Sequence, residues 1–156
     1  IKLIGTSAGI ASAQVGVALG VSTGVATLGA LAAAGLADRI GRIIPVTVAL
    51  LVQVVMIWLL QGEMSFLQFM LTAAIFQTFW NLNGPYIMGT IALSDTTGRV
   101  SLLIPTAQIG GFFLGPVIAG PMLTPGAGYG PANTLAIACC LLALAIFIPV
   151  AMRLKR

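Results

Sequence analysis

Residues 35–42, Gly-Leu-Ala-Asp-Arg-Ile-Gly-Arg, decide how the rest of this sequence is interpreted. The chain has seven basic and three acidic residues, and two of those bases and one acid fall within these eight positions. Glycine near each end favours a tight turn. Long segments with almost no charge lie on both sides of it. A short charged turn between two such segments is typical of a loop at a membrane surface.

The composition excludes most soluble classes of protein. Hydrophobic residues make up 59% of the 156 residues and charged residues 6%, and the mean hydropathy is +1.11. A typical soluble domain is about 25% charged, so this chain lacks the side chains to cover a water-facing surface. The net charge of +4 is not gathered into a basic patch with aromatic residues, which argues against nucleic acid as a partner. The composition therefore predicts an integral membrane protein.

The apolar segments predict an all-α fold, a polytopic bundle of about five membrane-spanning helices. A bilayer core of about 30 Å takes about 20 helical residues. The connections are short and contain helix breakers, so successive helices are expected to run antiparallel. The expected spans are residues 9–35, 43–60, 65–93, 100–123 and 131–152.

The basic residues predict the orientation of these spans. With five spans, all but one of them fall on the same side of the membrane, and Lys2 alone falls on the other. Because lysine and arginine are concentrated in cytoplasmic loops, that side and the C-terminus are expected to be cytoplasmic. The basic residues on that side are Arg39, Arg42, Arg99, Arg153, Lys155 and Arg156.

The charged turn resembles the signature loop of the major facilitator superfamily of secondary transporters, at Gly35, Asp38, Arg39, Gly41 and Arg42. That loop recurs in both six-helix halves of the family, after the second and the eighth helix. The uncharged segment 65–93 and the basic C-terminal tail favour the second half. The resemblance implies that residues 1–156 are a partial C-terminal half containing helices 8–12, with the N-terminal half missing as a partner. A generic charged turn in an unrelated polytopic protein is the alternative.

The same resemblance implies a role for the loop in conformational change. Asp38 would face a helix N-terminus of the opposite half when the cytoplasmic side is closed, since the helix dipole favours negative charge there. A local ion pair with Arg42, four residues further on, is the alternative. Asp95, Gly98 and Arg99 form a second, weaker match to a cytoplasmic link of the family, the one before helix eleven.

Glycines at four-residue spacing predict surfaces for close helix packing. Gly16, Gly20 and Gly24 form one such ridge in the first span, and Gly111 and Gly115 form another in the fourth. Small residues let helix backbones approach closely in lipid, where no hydrophobic force acts between helices. In the family these two helices flank the seam between the halves.

Amide side chains in the third span are the main candidates for a substrate site. Gln77, Trp80, Asn81 and Asn83 lie within seven residues, and Gln108 in the fourth span and Gln14 in the first are weaker candidates. Amides are costly in a bilayer unless they face protein or a water-filled cavity. The tenth helix of the family lines that cavity, so the resemblance implies that Gln77, Trp80, Asn81 and Gln108 line a substrate pathway.

Another interpretation of the same residues is structural. The amides would tie neighbouring helices together, and Trp80 would belong to an interfacial aromatic belt. Gln53, in a second span that is expected to face lipid, is assigned a hydrogen bond between helices.

The expected function is therefore that of part of a secondary active transporter. It would move a small solute across a bacterial-type inner membrane by alternating access, and residues 1–156 alone would not transport. A non-transporting membrane scaffold or helper subunit is the alternative. The chain has no histidine, its three acids lie in separate loops, and no metal-ligand spacing is present, so neither an enzyme nor a cofactor is expected.

Overall fold

The structure is a computed structural model, and it describes residues 1–36, 40–95, 97–123 and 128–153. These described residues form six α-helices and no strand. A 3₁₀ turn, Gly120–Met122, extends the fifth helix. The helices are α1 (Lys2–Ser7), α2 (Ser12–Leu36), α3 (Ile43–Leu59), α4 (Phe66–Ser94), α5 (Arg99–Ala119) and α6 (Gly130–Arg153).

The all-helical class is confirmed, and the five long helices begin and end close to the expected positions. The first begins at Ser12 rather than residue 9, because Gly9 takes a φ of +83° and separates α2 from the short helix α1. Gly62, with a φ of +77°, turns the chain between α3 and α4. Such backbone angles favour glycine, since a side chain is strained there.

Three of these helices are long and apolar enough to cross a membrane: α2, α5 with its 3₁₀ extension, and α6. Helix α3 has 17 residues and rises about 25 Å, less than the apolar thickness of a bilayer. Helix α4 has 29 residues, but its glutamines and asparagines lower its mean hydropathy. The number of five spans stays a prediction.

Helix α4 is the centre of the bundle and packs along α2 with backbone contact. Apart from Val15, the buried residues of α2 are small and include Ala18, Ser22, Ala26 and Gly29. A Cβ atom added at Gly29 would overlap the carbonyl oxygen of Thr78 in α4. The two backbones therefore approach more closely than any side chain at position 29 would allow.

This packing surface is not the glycine ridge that the sequence indicates. A Cβ added at Gly16, Gly20 or Gly24 would meet no atom of the described chain within 4 Å, and all three residues are exposed. The same holds for Gly111 and Gly115 in α5. Both ridges are therefore exposed surfaces, and no other helix of the described chain packs against them.

Helix α3 lies against α4 and α6 and is anchored at both ends. Near its start, Val46 and Leu50 share a buried cluster with Ala33 and Tyr86. At its end, the Asn133 amide of α6 donates to the carbonyl oxygen of Leu60 at 3.2 Å. The last carbonyl groups of a helix lack hydrogen-bond partners within it, and this bond supplies one at the end of α3.

Helix α5 differs from the others because none of its residues is buried. Its phenylalanines are among the most exposed side chains of the chain, with Phe112 at 72% and Phe113 at 70%. Such a surface is unfavourable in water and favourable against lipid or another apolar helix. Helix α5 therefore borders the bundle without being enclosed by it.

Candidate binding groove

A groove of about 620 Å³ lies between α3, α4, α5 and α6. Its volume is within the range of about 300–1,000 Å³ that is usual for sites of small molecules. We call it the groove throughout. The side chains that line it are mostly apolar and include Leu50 of α3, Ile87 and Ile91 of α4, Leu103 and Ile104 of α5, and Ala143 of α6.

Two buried amides provide the polar centre of the groove. Gln53 of α3 is 1% exposed and Asn83 of α4 is 7% exposed, and both line the groove. Gln53 Nε2 and Asn83 Oδ1 have no hydrogen-bond partner in the described part of the chain. A buried polar group left without a partner costs about 1–3 kcal/mol. Both atoms are enclosed by the protein, so each is a local cost to the fold at the edge of the groove.

The positions of Leu50 and Tyr86 indicate that these two amides lie at the same depth. Leu50 and Tyr86 belong to one buried cluster, where α3 and α4 pack side by side. The two helices run antiparallel because a short turn connects them. Gln53 is three residues after Leu50, and Asn83 is three residues before Tyr86. Each amide is therefore about one helical turn from that cluster, in the same direction.

Trp80 and Gln108, two of the candidates from the sequence, also line the groove. Trp80 is half-exposed and stacks on Phe76, with the ring centroids 6.2 Å apart. Gln108 is an exposed residue of α5. The structure thus brings these two side chains together with Gln53 and Asn83. Their role towards a substrate stays a prediction.

Asn81 and Gln77, the other two candidates, lie outside the groove lining. The amide of Asn81 donates to the carbonyl oxygen of Ala26 in α2 at 3.3 Å, so it ties two helices together. Gln77 is half-buried one turn earlier in α4. Residues 77 and 81 share one face of the helix because they are four positions apart, whereas 80, 83, 87 and 91 share another.

The electrostatics of the groove are those of an uncharged site. The described residues that line it include no aspartate, glutamate, lysine, arginine or histidine. Cys139 and Cys140 of α6 contribute free thiols to one wall. Among the described residues, no group of three or more His, Cys, Asp and Glu lies together. An ionised ligand would lose its hydration here without gaining a counter-charge.

Of the charged turn, residues 35–42, the structure describes 35, 36 and 40–42. Gly35 is the penultimate residue of α2, and Gly41 takes a φ of +66°. Arg42 Nη1 donates to the carbonyl oxygen of Gly89 in α4 at 2.9 Å, which ties the turn to the central helix. Asp38 and Arg39 lie outside the described residues.

The second loop carries a capping carboxylate. Asp95 Oδ2 accepts from the backbone N–H of Ser101 at 2.7 Å, and Oδ1 accepts from the N–H and the hydroxyl of Thr97. Gly98, at a φ of +74°, turns the chain just before α5. The hydrogen bond from Ser101 is the main reason that the pKa of Asp95 is lowered. Asp95 therefore caps the start of α5, and Gly98 allows the turn that precedes it.

Sequence reasoning missed Gln53 as a residue of the groove. The sequence predicts for Gln53 a hydrogen bond between helices, but its Nε2 has no partner among the described residues, and the buried residue lines the groove. The available signal was its place on one stripe with Val46, Leu50 and Ile57, which recur at helical spacing and are all buried.

Comparisons of the chain with protein-family models, with curated proteins and with solved structures found no significant match.

Proposed function

We propose that this chain forms part of a secondary transporter of the major facilitator type, and that the groove belongs to its solute pathway. The observation that carries the proposal is the groove itself, a mostly apolar site with an amide centre, bordered by a helix that has no buried residue. Residues 1–156 would supply one side of the pathway. A second set of helices would supply the other.

The open glycine ridges of α2 and α5 support such a second set. Both ridges are exposed, and both belong to helices that are long and apolar enough to span a bilayer. Exposed small residues at four-residue spacing provide contact surfaces for other membrane helices. In the family that the charged turn resembles, the corresponding helices flank the seam between the two halves.

The bond from Arg42 supports a mechanical role for the charged turn. It joins the turn between α2 and α3 to the later part of α4, the helix that carries Trp80 and Asn83. A movement of the turn at the cytoplasmic surface would then be transmitted to one wall of the groove. This link suits alternating access, in which rearrangement at the membrane surface opens or closes the pathway.

The first experiment tests the topology on which the proposal depends. Cysteines are placed singly at Ile40, Thr97 and Glu63 in a Cys139→Ala, Cys140→Ala background. They are labelled from either side of sealed vesicles with a membrane-impermeant maleimide. We expect positions 40 and 97 to react from the cytoplasmic face and position 63 from the other. Labelling of positions 40 and 97 from opposite faces would refute the proposal.

The second experiment tests transport by counterflow. Vesicles that contain the intact gene product are loaded with unlabelled cell extract and diluted into an isotopically labelled extract, and the labelled compounds that enter are identified by mass spectrometry. We expect at least one uncharged compound to enter faster than into vesicles without the protein. Vesicles with residues 1–156 alone should show no such entry. No entry with either protein would favour the helper-subunit alternative.

A further inference from the structure

We infer that a second cavity, at the end of the bundle opposite the charged turn, binds a small organic cation with Glu63 as its counter-ion. The cavity has a volume of about 400 Å³ and shares no lining residue with the groove. Its lining comes from the turn between α1 and α2, the turn between α3 and α4, and the start of α6. Neither the groove nor transport is needed for this site, so the inference goes beyond the proposed function.

Packing and hydrogen bonds hold these three segments together around Leu60. Leu60 belongs to a buried cluster, against which Ile4 and Ala8 of the first segment pack. Asn133 of α6 donates from its side chain to the carbonyl oxygen of Leu60 at 3.2 Å, and from its backbone N–H to the carbonyl oxygen of Tyr129 at 2.9 Å. The walls of the cavity are therefore fixed before a ligand binds, which reduces the entropy cost of binding.

Glu63 gives the cavity its sign of charge. It is the only charged residue among the described residues that line the cavity, and it is exposed, so a ligand reaches its carboxylate. Helices α1 and α3 end, and α4 and α6 begin, at this end of the bundle, so the partial charges of their dipoles have opposite signs and largely cancel. The cavity therefore attracts a positive charge and disfavours an anion.

The other polar side chains of the lining suit an ammonium group. The Ser7 hydroxyl donates to the carbonyl oxygen of Ile4 at 2.9 Å, which leaves its own oxygen as an acceptor. Gln61 adds an amide oxygen, and the half-buried Tyr129 adds an aromatic ring, whose face attracts cations. Because an ammonium group has donors and no acceptor, it matches this set of acceptors.

The apolar part of the lining defines the rest of the ligand. Ile4, Ala8 and Leu60 contribute an apolar wall. An alkyl or aryl group placed against this wall is removed from water, which favours binding. A calcium ion instead requires six to eight oxygen ligands, usually with several carboxylates, and the described lining contains one carboxylate. The site therefore favours an arylalkylammonium ion over an inorganic cation.

The two tyrosines of the chain provide a measurement that is specific to this site. Tyr129 lines the cavity, whereas Tyr86 is 4% exposed and lies in the buried cluster with Leu50. The full chain is produced with meta-fluorotyrosine, purified in an uncharged detergent at low salt and titrated with phenethylammonium, and its fluorine NMR signals are followed. Tyr129→Phe assigns the two signals. We expect the Tyr129 signal to shift saturably and the Tyr86 signal to stay in place.

Three ligands of similar shape test the requirement for positive charge. Phenylethanol is the neutral counterpart of phenethylammonium, and phenylpropionate is the anionic one. We expect the alcohol to bind about fivefold more weakly than the ammonium ion, the gain expected from one solvent-accessible ion pair. The anion should bind more weakly than the alcohol, because Glu63 repels it.

A substitution of Glu63 tests the counter-ion. Glu63→Gln removes the charge and nearly keeps the size of the side chain, so phenethylammonium should lose about fivefold in affinity while phenylethanol is unaffected. Asp95→Asn is the matched control, since it makes the same kind of change outside the cavity lining and keeps a capping side chain. It should leave both affinities unchanged. The Tyr86 signal reports whether each variant keeps its fold.

Several outcomes would overturn the inference. Equal affinities of the ammonium ion and the alcohol, or a shift of the Tyr129 signal that never saturates, would show that no cation site is present. An equal loss in Glu63→Gln and Asp95→Asn would assign the effect to the overall charge of the protein. If calcium moved the Tyr129 signal at lower concentrations than phenethylammonium, the ligand would be an inorganic cation and the proposed class would be wrong.

Discussion

The contact between α2 and α4 makes a sharp prediction about Gly29. In Gly29→Ala, the new Cβ would overlap the carbonyl oxygen of Thr78 and lie 2.9 Å from its carbonyl carbon and 3.2 Å from the amide nitrogen of Leu82. All three are backbone atoms, so no side-chain rotation relieves the overlap. Real Cβ contacts are not shorter than 3.0 Å, so the helices must separate by about 1 Å.

This separation has two costs. Forcing an extra carbon into a packed contact destabilises by about 1–3 kcal/mol. The hydrogen bond from Asn81 to Ala26 is already 3.3 Å long, so a separation of that size breaks it. Its net contribution is about 0.5–1.5 kcal/mol. Together these terms predict a loss of about 1.5–4.5 kcal/mol in the free energy of unfolding.

Gly20→Ala is the matched control, because it makes the same chemical change in the same helix. A Cβ at position 20 meets no atom of the described chain within 4 Å. Both variants gain the higher helix propensity of alanine, about 0.5–1 kcal/mol, so this gain cancels in the comparison. The difference between the two variants therefore reports the contact at position 29 alone.

The assay is unfolding in mixed detergent micelles, with increasing SDS and helicity followed by circular dichroism. We expect Gly29→Ala to unfold at a clearly lower fraction of SDS than the unmutated chain, and Gly20→Ala at the same or a higher fraction. If both glycine variants unfolded at the same fraction of SDS, the close approach of α2 and α4 would be wrong.

Three further predictions concern the ends of the helices. The pKa of Asp95 is lowered in the folded chain, so its contribution is present above the ordinary aspartate pKa of about 3.9 and is lost as the pH falls through the lower folded value. Asp95→Ala should therefore lower the melting temperature at pH 7, and the difference from the unmutated chain should shrink towards pH 3. Arg42→Gln removes the bond to the Gly89 carbonyl and should reduce the free energy of unfolding, measured by SDS titration, by about 1 kcal/mol. Asn133→Ala leaves the Leu60 carbonyl buried without its donor and should cost about 1–3 kcal/mol in the same titration.

Each of these predictions has its own control. Glu63→Gln removes an acid from another loop and should not reproduce the pH dependence of Asp95→Ala. Arg42→Lys should also be destabilised, because a lysine ammonium does not reproduce the planar guanidinium that donates to the Gly89 carbonyl of α4. Thr134→Val changes an exposed hydroxyl beside Asn133 that bonds only within its own helix, and should be nearly neutral. A loss in Thr134→Val equal to that in Asn133→Ala would contradict the assignment to the end of α3.

The lengths and order of the helices could be predicted because their ends carry local signals. Ser65 caps α4 by accepting from the backbone N–H of Gln68 at 3.2 Å, a pattern visible in the sequence. Gly62 and Gly98 stand where the chain turns with positive φ. These signals act over a few residues, so a single sequence contains them completely.

The direction in which each helix faces could not be predicted in the same way. A soluble helix reveals its buried side by an apolar stripe, but α2 is apolar or small on every side. The ridge Gly16–Gly20–Gly24 and the stripe Ala18–Ser22–Ala26 are equally plausible packing surfaces from their spacing. The choice is made by α4, which approaches α2 at Gly29. That contact joins residues far apart in the sequence.

The same limit explains why Asn81 and Asn83 have different surroundings although they are two residues apart. Two residues turn a helix by about 200°, so side chains at these positions point to nearly opposite sides. Once α2 packs on the side of Asn81 and gives it the Ala26 carbonyl as a partner, Asn83 must face away from α2, towards α3 and the groove. The contact that satisfies the amide of Asn81 therefore leaves Asn83 Oδ1 without a partner in the described residues, and Gln53 Nε2 of α3, a residue that lines the same groove, also lacks one. Each such buried atom costs about 1–3 kcal/mol, which the packing of α4 against α2 and α3 has to offset.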